Sequence, residues 1–189
     1  MRLVVLLAML STQVFGATYE SSNRSSTPQI KFSYPEADWE VLPNRAETEG
    51  AQQVDKTMAQ QTLVVVQKKQ PDDKYRARFH VVTDSLDKFK EGKVPLIVQY
   101  QKYTVDFLKS QRCLILSTEP IQLPHVKDTA VEVVANQRDF GLKFKQVIFI
   151  HDGKAYLLTA TTRTQKFDDY KKEINQFFET FQFVQAAQK

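Results

Sequence analysis

The sequence predicts an α+β domain in which a mainly antiparallel β-sheet is flanked by helices, as in an α/β/α sandwich. Two segments have the three-to-four-residue apolar spacing of amphipathic helices, and several shorter segments are rich in β-branched or alternating apolar residues. Three of the shorter segments follow one another through turns. Because strands and helices do not alternate regularly, the order favours antiparallel hairpins over βαβ units.

Two short strands are predicted at the start of the domain. Residues 30–34 alternate apolar and polar side chains, as a half-buried strand does, and Pro35 ends the segment. Residues 39–42 form a second apolar segment, which ends at Pro43. Residues 44–61 are polar with only weak helical spacing, so we expect a loop with some helix there.

A pair of antiparallel strands is predicted next. Residues 62–67 are rich in β-branched side chains, which is typical of a buried strand. Pro71, Asp72 and Asp73 then indicate a turn. The apolar segment 77–83 follows the turn, and we expect it to pair with the preceding strand.

A central helix is predicted over residues 94–110, where Pro95 suits the first helical position. Its apolar face, which could fill the core or line a groove, would carry Leu96, Tyr100, Tyr103, Phe107 and Leu108. A strand over residues 113–118 should follow and end before Pro120. Cys113 lies among apolar residues, so we expect a buried small side chain and not a catalytic thiolate.

The clearest pattern is a meander of three strands. Residues 129–135 and 142–150 are strand-like segments separated by a turn at 138–141. Asp152 and Gly153 then form a strong signal for a tight hairpin, because glycine accepts the positive φ that such a turn requires. Residues 154–162 complete the meander.

A second helix is predicted over residues 165–180. Asp168 and Asp169 fall in its first turn, where the helix dipole favours negative charge. The helix would present one broad stripe that we interpret as core, formed by Phe167, Tyr170, Ile174, Phe177, Phe178 and Phe181. Residues 181–184 could form a short final strand.

The N-terminal residues have the pattern of a secretory signal peptide. Arg2 precedes an apolar run of eight residues, Leu3 to Leu10, which is too short to span a bilayer comfortably. Small or medium side chains then favour cleavage between Gly16 and Ala17. We therefore expect an exported protein, periplasmic or extracellular, with no membrane span in the mature chain.

The predicted organisation is a signal peptide followed by a single domain. Residues 1–16 form the signal peptide, and residues 17–28, rich in serine and threonine, are expected to be a flexible leader. The α+β domain covers residues 29–185, and residues 186–189 form a tail.

Composition excludes several classes of function. The chain has 189 residues and a formal net charge of +4, and its basic residues are interleaved with acidic ones, which argues against a nucleic-acid partner. A single cysteine excludes an intramolecular disulfide framework. The sequence contains no G-x-G-x-x-G, P-loop or G-x-S-x-G motif, so no cofactor is predicted.

The order and spacing of these elements resemble those of the Mog/PsbP-like superfamily, which includes the PsbP subunit of photosystem II and bacterial envelope proteins such as DcrB. The matching features are Tyr34-Pro35 followed by Trp39, the hairpin from His151 to Tyr156, and Phe181 to Val184 after the last helix. The resemblance implies a sheet sandwiched between helices and a binding, assembly or stabilising role. It implies no catalytic motif, and the predicted signal peptide does not fit Ran binding.

The residues that could carry catalysis or bind metal are few. The three histidines, His80, His125 and His151, have no second histidine or cysteine at zinc-ligand spacing, so no metal site is predicted. Glu132 has no evident carboxylate mate for sugar hydrolysis. A hydrolase would require one of the histidines to cluster with a carboxylate in a cleft.

A basic strand face is the candidate partner surface. Lys143 and Lys145 alternate with apolar residues and should project from the same sheet face as Val147. With Lys154 nearby, this face could contact an anionic partner, although an ordinary solvated face would have the same pattern.

Taken together, the sequence favours an exported, non-catalytic binding or assembly protein whose partner is another envelope or extracellular protein. The alternative is a carrier of a small apolar ligand held between helix and sheet and lined by aromatic side chains. A hydrolase is the third possibility and the least supported.

Overall fold

The computed structural model describes residues 16–21, 29–42 and 61–184. The strands are β1 (Ala17–Glu20), β2 (Ile30–Tyr34), β3 (Trp39–Leu42), β4 (Gln61–Lys68), β5 (Arg78–Ser85), β6 (Cys113–Ile121), β7 (Ala130–Gln137), β8 (Leu142–His151), β9 (Lys154–Arg163) and β10 (Gln182–Phe183). The helices are α1 (Leu96–Ser110) and α2 (Lys171–Glu179). Residues 1–15 of the predicted signal peptide, residues 22–28 of the predicted leader, residues 44–60 of the predicted loop and the tail lie outside the described residues.

Seven strands form one antiparallel sheet in the order β3-β4-β5-β9-β8-β7-β6. Helix α1 packs on one face of this sheet, and α2 packs on the other together with the small sheet β1-β2-β10. We call these the α1 face and the α2 face. The predicted α+β class, with helices on both faces of an antiparallel sheet, is confirmed.

The main core lies on the α2 face. Phe177 of α2 stacks on Phe79 of β5 with ring centroids 4.5 Å apart, and Trp39 meets Phe177 edge-on at 5.1 Å. Phe32 of the small sheet packs against Phe79 at 5.3 Å. The predicted aromatic stripe of the last helix is therefore core, and it joins both sheets.

The meander was predicted correctly because its signals are local. Asp152 and Gly153 have φ values of 47° and 71°, so both residues of the turn adopt the left-handed conformation of a tight hairpin. A single 3₁₀ turn at Arg138–Phe140 connects β7 to β8, and Gly141 closes it with φ of 60°.

Residues 17–20 correct the prediction of a flexible leader. They form β1, which pairs antiparallel with β2 from Ala17 opposite Tyr34 to Glu20 opposite Lys31. The Tyr19 ring packs 5.1 Å from the Phe32 ring, so an aromatic contact accompanies the backbone pairing. These four residues are ordered by their partner strand and not by a pattern of their own.

Three boundaries also differ from the predictions. Strand β6 continues through Pro120 to Ile121, because a strand at the edge of a sheet tolerates a residue without an N–H group. Helix α1 begins at Leu96, with Pro95 as an extended N-cap. Helix α2 begins only at Lys171, after a 3₁₀ turn at Thr164–Lys166.

Phe107, on the predicted apolar face of α1, is exposed to solvent. Tyr100 is fully buried in the cluster between α1 and the sheet, whereas 41% of Phe107 is accessible to solvent. The buried positions of the helix are Tyr100 and Thr104, which are four residues apart. The sheet therefore covers a narrower stripe of α1 than the apolar pattern indicated.

Candidate binding groove

A groove of about 460 Å³ opens at the N-terminal end of α1. Its apolar wall comes from the start of the helix and the end of β8, and it consists of Val94, Pro95, Leu96, Ile97 and Ile150. Glu91, Asp128 and Thr129 add polar groups. A few polar groups on a mainly apolar wall are typical of ligand sites, and the volume lies within their usual range of roughly 300–1,000 Å³.

The helix side of the groove is held in place by side-chain contacts. The Nε2 atom of Gln99 donates hydrogen bonds of 2.8 Å to the carbonyl oxygens of Lys90 and Val94, which fixes the loop that leads into α1. The ring of Phe89 packs 5.3 Å from that of Tyr100. The Tyr100 hydroxyl in turn donates a 2.8 Å hydrogen bond to Oδ2 of Asp84 on β5.

The sheet side of the groove is fixed by polar contacts of His151 with two aspartates. Nδ1 of His151 lies 2.8 Å from Oδ2 of Asp128, and Nε2 of His151 lies 3.5 Å from Oδ2 of Asp152. The His151 ring also stacks on Phe183 of β10 with centroids 3.9 Å apart. His151 thus joins the hairpin, the loop that contains Asp128 and the C-terminal strand.

Exposed apolar side chains extend the groove onto the surface. Val94 lies in its wall and is 49% exposed, and Val98, one helical turn further along, is 46% exposed. Gly92 forms part of the rim, and a Cβ atom added there would meet no atom within 4 Å. An apolar group of a partner could therefore reach the groove directly from solvent.

The predicted lysine surface is divided in the structure. Lys145 makes a 2.6 Å ion pair with Glu132 and lies over the Phe178 ring at 5.3 Å, and Lys143 lies over the Phe167 ring at 4.3 Å. Both lysines lie on the α2 face with Val147, as predicted. Lys154 is beside the hairpin at the other end of β8, opposite His151. The expectation that Lys154 would be near the other two is wrong, because eight residues of extended strand separate Lys143 from His151.

The histidines do not converge. His80 lies on the α1 face, in a polar row with Thr159 and Gln146. His151 lies on the α2 face, and His125 is in an exposed loop. Within residues 16–21, 29–42 and 61–184, no group of three or more histidine, cysteine or acidic residues could hold a metal ion.

Burial shifts the pKa values of two of the residues considered as catalytic candidates. Desolvation, reinforced by the positive charge of Arg78, lowers the pKa of His80 from 6.5 to about 4, so this histidine is neutral at pH 7. Burial also raises the pKa of Cys113, which disfavours a reactive thiolate. Cys113 is 8% exposed, in agreement with its predicted structural role.

The groove was not predicted from the sequence. The carrier alternative placed a ligand beneath the central helix, but Tyr100, Val133 and Ile148 fill that space and are fully buried. The groove lies instead at the end of the helix. A partial signal was available, since residues 94–98 are a run of five apolar residues at a helix start where one core-facing residue would suffice.

Comparison with solved structures decides the fold. CyanoP, the cyanobacterial PsbP of Synechocystis sp. PCC 6803, superposes with a TM-score of 0.55 at 10% identity, covering 94% of this chain and 99% of that one. The fold is PsbP-like. LpqN, involved in cell envelope biogenesis of Mycobacterium tuberculosis, gives a TM-score of 0.57 at 13% identity and covers 90% of this chain and 92% of that one.

A third structure with this PsbP-like fold is a protein of unknown function from Pseudomonas aeruginosa, with a TM-score of 0.52 at 13% identity over 92% of this chain and 99% of that one. No family model and no curated protein matches the sequence. The resemblance to the Mog/PsbP-like superfamily is confirmed for the fold. None of the described helices is long and apolar enough to cross a membrane.

Proposed function

We propose that this chain is an exported, non-catalytic binding protein whose groove at the N-terminal end of α1 receives an apolar group of another envelope or extracellular protein. The observation that carries the proposal is the combination of an open groove of about 460 Å³ with the half-exposed Val94 and Val98 beside it. Exposed apolar residues around a concavity are typical of interaction sites.

The surroundings of the groove support a binding role over catalysis. Its titratable groups are Glu91 and Asp128. Asp128 and His151 form the kind of histidine–carboxylate pair that a hydrolase would require, but the His151 ring stacks on Phe183 and does not line the groove. A general base must lie within reach of a nucleophile; the groove is lined by neither Ser nor Cys, and the one hydroxyl among its lining residues is that of Thr129. The CyanoP and LpqN structures share the fold, and LpqN is described as an envelope-biogenesis protein, which fits the proposed compartment.

Export is supported by the N-terminal pattern and by the position of β1. The apolar run Leu3 to Leu10 follows Arg2, as in a secretory signal. Cleavage between Gly16 and Ala17 would make the first residue of β1 the new N-terminus, and β1 would keep all its pairs with β2. N-terminal sequencing of the secreted protein tests this part of the proposal.

A second candidate function is a carrier of a small apolar molecule. The volume of the groove, about 460 Å³, lies within the range of ligand pockets, but its open side would leave part of a bound molecule in contact with solvent. The carrier differs from the partner-binding protein in what remains bound after purification.

One experiment separates the two functions. The tagged chain is cross-linked in its native secreted or envelope fraction and purified as wild type, as Gly92→Trp, which adds a large side chain at the rim of the groove, and as Asp168→Trp, which adds the same side chain at an exposed position outside the groove. We expect one stoichiometric protein partner with wild type and Asp168→Trp, and loss of that partner with Gly92→Trp.

Other outcomes contradict the proposal. A bound lipid or other small molecule, without a protein partner, would establish the carrier. A protein partner retained by Gly92→Trp would place the interface elsewhere. Circular dichroism of each variant verifies that it is folded, and we expect no change because a side chain at Gly92 meets open space.

A further inference from the structure

Two arginines lie on the part of the α1 face that the helix does not cover. Helix α1 packs mainly over β6, β7 and β8, and Arg78, at the start of β5, is exposed to solvent. Arg78 pairs with Thr161 of β9, and Arg163 follows two residues later on the same strand. Directly paired residues, and residues two apart on a strand, project from one face of a sheet. The two arginines therefore share this surface with Thr161.

Tyr75, in the loop between β4 and β5, joins the same group of side chains. The guanidinium carbon of Arg163 lies 5.8 Å from the centre of the Tyr75 ring. The Tyr75 hydroxyl hydrogen-bonds to the side chain of Thr161. Burial raises the pKa of Tyr75, and the positive charges of Arg78 and Arg163 both lower it, so both guanidinium groups act on the phenol. We call Tyr75, Arg78, Thr161 and Arg163 the arginine cluster.

The guanidinium of Arg163 is fixed in place without a carboxylate. Its Nη1 and Nη2 atoms donate 2.8 Å hydrogen bonds to the backbone carbonyl oxygens of Phe140 and Asp73. The carboxylate of Asp73 instead accepts a hydrogen bond from Gln165 at 3.2 Å. Among the residues that the structure describes, Arg163 forms no ion pair. The cluster thus contains a held positive charge that no neighbouring carboxylate neutralises.

Arg78 supplies exposed N–H groups beside this charge. In the described ranges of the chain its side chain forms neither an ion pair nor a hydrogen bond. Glu40 lies in the same row across the sheet, but it accepts from Arg76 at 3.1 Å and from Gln67 at 2.9 Å. The charge of Arg78 also disfavours protonation of His80, two residues along β5. An anion at Arg78 would therefore meet a positive field and unused donors.

We propose that the arginine cluster is a binding site for an oxyanion of the phosphate type. Arg78 donates directly to the anion, and the fixed charge of Arg163 attracts it. Because the hydroxyls of Tyr75 and Thr161 are bonded to each other, one of them retains a proton to donate. A guanidinium fork matches two oxygens of a phosphate, and the remaining oxygens accept from donors on other sides.

This site is separate from the groove at the start of α1. Phe144, which pairs with Thr161, lies six residues before Ile150, which lines the groove. Six residues of extended strand span roughly 20 Å. The oxyanion site therefore does not depend on the proposed function, and either proposal can fail without the other.

Titration of the purified, isotope-labelled chain with inorganic phosphate, followed by NMR at constant ionic strength, tests the site. We expect saturable shifts of amide signals confined to residues 75–80 and 159–163. Arg78→Gln should weaken phosphate binding by about tenfold, because a charge-assisted hydrogen bond is lost. Arg112→Gln is the matched control, since Arg112 is an exposed arginine that already pairs with Asp139, and it should bind phosphate as wild type does.

A second variant tests the hydroxyl groups. Thr161→Val keeps a β-branched side chain in β9 and removes the hydroxyl that bonds to Tyr75. We expect severalfold weaker phosphate binding with an otherwise unchanged amide spectrum, which also shows that the variant is folded. Shifts spread over the basic surface, or equal losses in Arg78→Gln and Arg112→Gln, would indicate an adventitious ion only and would overturn the proposal.

A parallel arm distinguishes a soluble phosphate from a lipid headgroup. The chain is sedimented with vesicles of phosphatidylglycerol and, as a control, of phosphatidylcholine. Saturable binding of free phosphate supports the site with a soluble ligand. Binding to phosphatidylglycerol alone, lost in Arg78→Gln and retained in Arg112→Gln, supports it with a lipid headgroup. If neither arm shows binding that depends on Arg78, the proposal is wrong.

Discussion

The Nδ1 atom of His151 lies 2.8 Å from Oδ2 of Asp128, and this contact ties the β8–β9 hairpin to the loop that forms one wall of the groove. Asp128 lies in the loop before β7 and His151 is the last residue of β8, and the stacked ring of Phe183 holds the imidazole in place. The wall of the groove is thus fixed before any partner binds, which reduces the entropy lost on binding.

Replacing Asp128 with alanine should lower the free energy of unfolding by about 0.5–1 kcal/mol, because a partly exposed polar contact with His151 is lost. His151→Phe keeps an aromatic ring to stack on Phe183 and loses the contact with Asp128. Urea denaturation of both single variants and the double variant gives the coupling between the two residues. Additive losses would show that the contact contributes nothing to stability.

Stability should fall as the pH is lowered from about 6.5 towards 4, because the folded state holds His80 neutral. The pKa of His80 is about 4 in the folded state and 6.5 in the reference state, so the unfolded chain binds the proton first. The contribution of neutral His80 to the free energy of unfolding is complete above the pKa of 6.5 in the unfolded chain. Acidification towards the folded-state pKa of about 4 lowers that free energy by roughly 1–3 kcal/mol.

His80→Gln should flatten this pH dependence, whereas His125→Gln should leave it unchanged because His125 is exposed. Thermal unfolding of the three proteins at a series of pH values between 4 and 7 provides the comparison. If the unfolding temperature falls equally with pH in wild type and in His80→Gln, the acid sensitivity comes from groups other than His80.

Lys145 contributes to stability through its ion pair with Glu132, so a substitution at Lys145 would alter the fold as well as the predicted partner surface. Lys145→Glu would face Glu132 at the position of the present 2.6 Å ion pair, so two largely buried carboxylates would repel each other. We expect a loss of about 1–3 kcal/mol in the free energy of unfolding. The exchange Lys145→Glu with Glu132→Lys should recover most of it, and failure to recover would point to the Phe178 contact instead.

The Asp73–Lys74 turn can be stabilised by glycine. Both residues have positive φ, 44° and 68°, which is unfavourable for a side chain with a Cβ atom. Lys74→Gly should therefore raise the free energy of unfolding by roughly 0.5–1 kcal/mol.

Gly153→Ala makes the opposite change, from glycine to a residue with a Cβ atom, at a position with a similar positive φ. Gly153 has φ of 71°, and an added Cβ would meet no atom within 4 Å, so any loss is purely conformational. We expect a loss of about 1 kcal/mol by chemical denaturation. Equal stability of wild type and both variants would show that these turns relax without strain.

The parts of the fold that the sequence predicted are those with local signals. Asp152 and Gly153 fix a hairpin within two residues, and the stripe of α2 follows from residue spacing. Strand β1 escaped prediction because its order comes from pairing with β2. Pro120 was read as a strand end because its place at a sheet edge depends on the assembled topology.

The groove depends on tertiary assembly even more strongly. Val94, Asp128 and Ile150 are distant in sequence and meet only when α1 has packed on the sheet and the hairpin has joined the loop before β7. The sequence correctly predicted that Lys143 and Lys145 project from the same face of the sheet. The sequence could not show that aromatic rings of the C-terminal segment lie over both side chains.

Photo-cross-linking from Val98 tests the central claim, that a partner protein is bound at the start of α1. A photoreactive amino acid is placed at Val98, beside the groove, or at Asp168, which is exposed outside it, and the protein is irradiated in its native secreted or envelope fraction. The account predicts one protein adduct from Val98 and none from Asp168. The same adduct from Asp168 but not from Val98, or no protein adduct from either position, would contradict it.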